Sequence, residues 1–306
     1  MKLSLGIDTS NYVTSVALVN EQGDVLMDLR TPLPVGKGQL GLRQQEAVFF
    51  HIKELPGLIR QAFDEIAYRK DELCAVSYSN APRNVEGSYM PVFVAGESIA
   101  QSVAATAGVK ALAFSHQQGH LRAAKIDLDA TLYEEYIAVH ASGGTTEILS
   151  VQGDGIEIIG GTLDISAGQL IDRIGVLMGL DFPAGKQLEE LALQALEAIR
   201  LPAHVEGGYF NLSGAETAAK RQLADDNHPQ LARGVLNCIA LSLIDALKNV
   251  ADEQQILFGG GVMANGIIKQ IILSVFHERA LFAQPRYAGD NACGTALLAM
   301  EAIHAG

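Results

Sequence analysis

Cations are scarce in this chain. Lys and Arg total 22 against 35 Asp and Glu, a formal net charge of −13. Bulk attraction for a phosphate backbone is thereby excluded, and any nucleic-acid contact needs a local basic patch or a basic partner. Cysteine is scarce too: Cys74, Cys238 and Cys293 lie far apart and are odd in number. That argues against a disulfide framework and fits reduced thiols in a cytoplasmic protein. No uninterrupted apolar run reaches the ~18 residues of a membrane span, so no membrane partner is expected. Met1 to Asp8 reads as a strand and not as a signal peptide, because no basic segment precedes a long apolar one. A glycine-rich run ending in Lys-Ser or Lys-Thr is missing, which argues against a Walker-type nucleotide loop. Low-complexity and linker stretches are missing as well, so one compact body is expected.

What is there is enough for a large core. The chain has 306 residues, of which 48% are hydrophobic and 19% charged. Alternating runs predict strands over 3–8, 13–20 and 24–31, followed by a long helix over roughly 44–67, interrupted at Pro56. A strand over 73–79, a helix over about 90–107 and a strand over 111–114 complete the first half. The second half repeats the order, with strands over 136–141, 147–151 and 156–161 and a helical block from Ser166. Leu236, Ile239, Leu243 and Leu247 sit at helical spacing in a helix near 231–250, before a buried strand over 255–258. A helix after Met263 and one over 291–305 follow. The order of elements predicts two lobes of one α/β plan, with mixed sheets flanked by helices.

His116-Gln117-Gln118-Gly119-His120 places two imidazoles four residues apart, on one face of a helix, at a spacing that can grip one divalent metal. The zinc-peptidase motif shares the spacing but has a Glu after the first His as general base. Gln117 has no basic lone pair, so peptidase chemistry of that type is excluded. Three turns at strand ends could approach an anion: Asp8-Thr9-Ser10-Asn11, Ser142-Gly143-Gly144-Thr145-Thr146, and Gly259-Gly260-Gly261 through Asn265. Taken alone, Asp8-Thr9-Ser10 reads more readily as an ordinary hairpin turn, and the strand-to-helix glycine run as either tight packing or ligand approach. Asp8, Asp164 and Asp172 are candidates for magnesium or ribose contact, with Thr9 and Ser10 beside the first, and Lys186 could face a phosphate. Asp290 reads as a helix N-cap or as a ligand. His51 reads as a structural histidine, and Cys293 as a buried helix residue in preference to a fourth ligand.

Ten short motifs in order resemble one family, the tRNA threonylcarbamoyladenosine transferases, earlier labelled O-sialoglycoprotein endopeptidases. They are Gly6-Ile7-Asp8-Thr9-Ser10, Glu86-Gly87-Ser88, the histidine pair, Ser142-Gly143-Gly144, Gly161-Thr162-Leu163-Asp164 and Ala167-Gly168 leading to Ile171-Asp172-Arg173. Gly179 to Gly185, Leu212-Ser213-Gly214, Gly259-Gly260-Gly261-Val262 with Asn265, and Asp290-Asn291-Ala292 continue the series.

The resemblance implies an actin-like (ribonuclease-H-like, duplicated) two-lobed ATPase fold. Its lobes are expected at 1–115 plus 291–306 and at 116–290, the second carrying the metal and nucleotide loops. It implies one divalent metal, iron or zinc, on His116, His120 and Asp290. ATP or an acyl-adenylate is expected at His140, Ala141, Ser142, Gly143, Gly144, Asp172, Gly185 and Asn265, with magnesium as a further cofactor. The implied reaction passes a threonylcarbamoyl group from the adenylate to an adenosine of tRNA, an acceptor that the net charge does not support. A homodimer, or a heterodimer with a related chain, through the N-terminal lobe is the implied assembly.

The chain departs from the family pattern around the loops. Thr145 stands where Gly-Gly-His is common, Arg173 where Lys is usual, and Lys186 where Pro follows Gly185. These departures spare the triad and suggest a divergent paralogue. The alternative function is a non-catalytic or altered-substrate paralogue that binds nucleotide and metal and pairs with another protein.

Overall fold

The structure is a computed structural model that describes every residue except 11, 35–41, 67–71, 86, 129, 130, 154, 225 and 306. Asn11 and Glu86 of the motifs above, and residue 67 at the expected end of the first helix, therefore lie outside the described residues. The chain forms two compact units, Met1–Ile126 with Asp290–Gly306 and Asp127–Gly289.

In the first unit, β1 (Leu3–Asp8), β2 (Val13–Asn20) and β3 (Val25–Pro32) form an antiparallel meander, with Asp8 opposite Ser15 and Ser15 opposite Arg30. The helix α1 (Gln44–Glu65) leads to β4 (Leu73–Ala81), and α2 (Phe93–Ala107) to β5 (Lys110–Ser115). Both crossover strands add in parallel, giving the order β3-β2-β1-β4-β5. Alternation along β1 decides the layers. Leu5 and Ile7 pack with Leu55 and Leu58 of α1 and Ala100 and Ala104 of α2. Gly6 faces the other way, so close to Ala292 and Ala296 that a Cβ would overlap them, and the last helix, Cys293–Ala305, covers that side.

The expected interruption at Pro56 does not occur: α1 runs unbroken through it. Its buried stripe of Ala47, His51, Leu55, Leu58 and Ala62 continues across the proline, and that tertiary packing outweighs one missing N–H. His51 is structural, its Nδ1 lying 2.8 Å from Thr14 Oγ1 of β2.

Directly after β5 the chain turns into α3 (His116–Ala124). Ser115 caps it, its Oγ accepting from Gln118 N at 3.1 Å while Gln118 Oε1 accepts from Ser115 N at 2.8 Å. The expected lobe boundaries placed this helix and Asp290 in the second lobe, whereas both lie in the first compact unit. Packing is the reason. Gly294 of the last helix lies so close to the Gly119 carbonyl that any Cβ there would overlap it. Two glycines thus let α3 and the last helix touch backbone to backbone.

The second unit repeats the plan. β6 (Glu135–Ala141), β7 (Thr146–Gln152) and β8 (Gly155–Thr162) form the meander. Then come α4 (Ala167–Leu177), α5 (Gly185–Ala192), β9 (His204–Glu206), β10 (Tyr209–Asn211), α6 (Ser213–Gln222) and α7 (His228–Val250). β11 (Ile256–Gly259), α8 (Gly266–Phe276), β12 (Ala280–Phe282) and α9 (Pro285–Ala288) follow, and the sheet order is β12-β11-β6-β7-β8-β10-β9. β9, β10 and β12 have three residues each, too few to show a period in sequence. Among the described residues α7 is the one helix long and apolar enough for a membrane span, but 72% of that stretch is buried. It is the core helix of this unit.

Candidate functional site

The C-terminal ends of the parallel strands build the first site. Asp8 ends β1, and Ser115 ends β5 and caps the helix that begins with His116. Asn291, and not Asp290, takes the turn before the last helix, its Oδ1 accepting from Cys293 N at 3.0 Å. Asp290 is thereby left to face the histidines.

Three atoms converge. His120 Nε2 lies 2.9 Å from His116 Nε2 and 3.2 Å from Asp290 Oδ1, and His116 Nε2 lies 3.6 Å from the same oxygen. Zinc bonds of about 2.0–2.1 Å at a tetrahedral angle separate neighbouring donors by about 3.4 Å, so this triangle has the size of one face of such a site. The protonation states point the same way. One nitrogen, His120 Nε2, cannot accept from His116 and donate to Asp290 at once. A cation among the three atoms would let each act as a lone-pair donor. Cys293 is buried in the last helix and is not part of this cluster.

Burial sets the background charge. Desolvation works against a charged His116, yet Asp8 and Asp290 on its two sides raise it to about 10. Burial and then the neighbouring His116 push His120 down, so it stays neutral. Asp290 is held far below the carboxylate range: burial would raise it, but its neighbours, His116 foremost, prevail. Asp8 is lowered as well, burial again being overcome by His116. A cation is therefore wanted between the buried Asp8 and the half-buried Asp290, and without a metal the His116 proton fills that place.

The turn expected to meet a phosphate or magnesium faces inward instead. Asp8 Oδ1 lies 3.1 Å from His116 Nδ1, and Ser10 Oγ donates to Asp8 Oδ2 at 2.5 Å. Thr9 Oγ1 donates to Val92 O at 2.9 Å and accepts from Gly96 N at 3.2 Å. Asp164 is also committed. Its carboxylate accepts from Asn211 Nδ2, from Leu212 N and from Ser213 N at 3.2, 2.9 and 3.1 Å, holding the start of α6. Against the upward pull of burial, the Ser213 hydroxyl first, and then the Leu212, Ile165 and Ser213 N–H groups, take Asp164 down to about 2.

The second unit holds a cavity of about 480 Å³, lined by Gly143, Asp172, Gly185, Lys186, Glu189 and Asn265 among others. Gly168 lets the start of α4 close on it: a Cβ there would overlap the Ser142 carbonyl and Gly143. Asp172 Oδ1 accepts from Ala184 N at 2.8 Å, and burial pushes its carboxyl up. Asn265 caps α8, its Oδ1 accepting from Ile268 N at 3.0 Å, and Glu189 Oε1 accepts from Gly266 N at 2.7 Å.

Of the nucleotide residues expected, Gly143, Asp172, Gly185 and Asn265 line this cavity; His140, Ala141, Ser142 and Gly144 do not. His140 is buried in β6, opposite Glu147. Arg173, which stands where Lys is usual in the family, is engaged by Glu216 at 3.0 Å. Sequence reasoning missed Glu189 and the capping role of Gln118. For Gln118 the signal was present, since Ser115 to Gln118 reads S-x-x-Q. For Glu189, whose role comes from packing onto α8, no local signal exists.

The model of one family, described as TsaD: tRNA N6-adenosine threonylcarbamoyltransferase, matches residues 41–297. The "Probable bifunctional tRNA threonylcarbamoyladenosine biosynthesis protein" of Methanothermobacter thermautotrophicus is 28% identical over 296 residues, covering 94% of this chain. The chain spans 54% of that relative's length. The tRNA N6-adenosine threonylcarbamoyltransferase of Neorickettsia sennetsu is 28% identical over 321 residues, covering 99% of this chain and 94% of its own. Among solved structures, component A of the (R)-2-hydroxyglutaryl-CoA dehydratase of Acidaminococcus fermentans superposes with a TM-score of 0.63. That match covers 99% of this chain and 100% of the other at 13% identity, which speaks for the fold alone. The fold is the α/β actin-like one, with mixed sheets flanked by helices.

Proposed function

The chain belongs to the tRNA N6-adenosine threonylcarbamoyltransferase family, and from that premise we propose that it transfers a threonylcarbamoyl group from an adenylate to a tRNA adenosine. The observation that carries this reading is the convergence of His116 Nε2, His120 Nε2 and Asp290 Oδ1 within 2.9–3.6 Å.

These three side chains would hold one divalent ion, iron or zinc. Bound there, such an ion supplies Lewis-acid polarisation of an acyl carbonyl. The donor is a mixed anhydride, already activated, so no side chain has to act as a covalent nucleophile. Gln117 offers no base, which fits acyl transfer and not water activation for peptide hydrolysis. In the second unit, Asp172 and Glu189 present carboxylates suited to ribose hydroxyls. Lys186 and the start of α5 favour phosphate. Asp172 is the carboxylate left to accompany magnesium, since Asp8 and Asp164 are engaged elsewhere.

With a net charge of −13, tRNA binding would be completed by a basic partner in the cytoplasm. An apolar groove of about 560 Å³ between α1 and α2, lined by Ile59, Phe63, Ile99 and Val103, supports pairing through the first unit, with itself or a related chain. A second reading, a non-catalytic paralogue in such a pair, is favoured by Thr145. It replaces the expected His and closes its turn on Ser142, with Ser142 N donating to Thr145 O at 2.8 Å.

One assay separates the readings. Metal-loaded protein is given synthetic threonylcarbamoyl-adenylate and unmodified tRNA, with and without a chelator. Modified adenosine that disappears with the chelator is expected. No product with the metal-loaded protein, alone or with a related chain, would leave the non-catalytic reading.

A further inference from the structure

We propose that the turn after β1, Asp8-Thr9-Ser10, positions the metal ligand His116 and does not cradle a phosphate. This rests on the metal reading above. The side chains of the turn are buried, Asp8 to 1% exposure, and they form a chain. Ser10 Oγ donates to Asp8 Oδ2 at 2.5 Å, and Asp8 Oδ1 lies 3.1 Å from His116 Nδ1. The remaining member, Thr9, ties the turn to the start of α2 through Val92 O and Gly96 N at 2.9 and 3.2 Å. Phe93, the first residue of α2, stands beside the imidazole, with ring centroids 6.2 Å apart.

The consequence is chemical. A carboxylate acceptor at Nδ1 fixes the proton on that nitrogen, so the lone pair sits on Nε2, the atom facing His120 and Asp290. It also makes Nε2 a stronger donor and stops the ring from rotating. Ser10 performs the same service for Asp8 by occupying the oxygen that His116 does not use. The anchoring of Thr9 to α2 fixes where this chain begins. Side chains spent in this way are buried and turned toward His116 and α2, which separates the turn from the exposed glycine turn of the second unit.

The test reads metal affinity with Zn²⁺ in competition with a chromophoric chelator, and geometry from the absorption spectrum of the Co²⁺ form. Asp8→Ala and Asp8→Asn should weaken Zn²⁺ by about 10–100-fold and alter the Co²⁺ spectrum, with circular dichroism as in the wild type. Ser10→Ala, which removes a single hydroxyl, should weaken Zn²⁺ by about three- to tenfold. Wild-type binding that survives both Asp8 substitutions to within about threefold, with an unchanged Co²⁺ spectrum, would overturn the inference while leaving the metal site standing. If the Asp8 variants do not fold, an unchanged Ser10→Ala affinity overturns it instead. Equal Zn²⁺ binding by the wild type and His120→Ala would remove the metal reading itself, and this inference with it.

Discussion

The turns at 8–13 and 141–146 hold the same place in the two units, each joining the first two strands of an antiparallel meander, yet they are built from opposite chemistry. In the first, Asp8, Thr9 and Ser10 are buried and directed at His116 and α2. In the second, Gly143 and Gly144 are exposed, and a Cβ on either would meet nothing within 4 Å. One turn uses its side chains inside the protein; the other has almost none and leaves Gly143 at the wall of the cavity. A duplicated fold therefore need not mean a duplicated site. Topology fixes where a turn lies, and side-chain length decides whether it serves the interior or the cavity.

The comparison can be broken most severely at Gly168. A methyl group there overlaps backbone at Ser142 and Gly143, so Gly168→Ala should cost about 2 kcal/mol in chemical denaturation. It should also abolish AMP binding measured by calorimetry. Gly143→Ala, with open space around it, should leave stability within about 0.5 kcal/mol. Equal stability losses for the two would show that the second turn is not held by α4 in the way described.

Lys186 sharpens the comparison at the level of charge. Lys186→Met keeps the length of the side chain and removes the cation. AMP should bind about tenfold more weakly, while adenosine binding should not change. An unchanged ratio of AMP to adenosine affinity would make Lys186 a solvated surface residue.

Much of this was legible in the sequence, for reasons that differ by residue. Both meanders showed because alternation over six to eight residues is a strong signal, and β1 and β2 fall where the period placed them. The histidine pair showed because helical spacing is local. Asp290 could not be assigned to it from spacing alone, since 170 positions separate it from His120 and only the packing of Gly294 on Gly119 unites them. The lobe boundary was misplaced for that reason. The inward direction of Asp8, Thr9 and Ser10 was invisible, because a turn of small polar residues looks the same whether it meets phosphate or imidazole. Pro56 misled because the proline rule is local, whereas the helix is held by its buried stripe.

The smallest effect concerns Asp164, whose role is that of a cap. Hydrogen bonds, the one from the Ser213 hydroxyl foremost, hold its carboxyl down at about 2, below the ordinary 3.8. A depressed carboxyl stabilises above the unfolded value and loses that contribution as pH falls through the folded one. Wild type should therefore melt higher than Asp164→Asn at pH 5, and the gap should shrink toward pH 2. The group is largely exposed, so solvent screening keeps the gap small. A gap constant with pH would mean that its charge plays no part in holding α6.

The most direct measurement is elemental analysis of protein loaded with zinc or iron and passed through a desalting column, beside the His116→Ala, His120→Ala double variant. One ion per wild-type chain and none in the variant is the expected result. No bound ion in the wild type, or the same content in both, would contradict a metal centre at His116, His120 and Asp290.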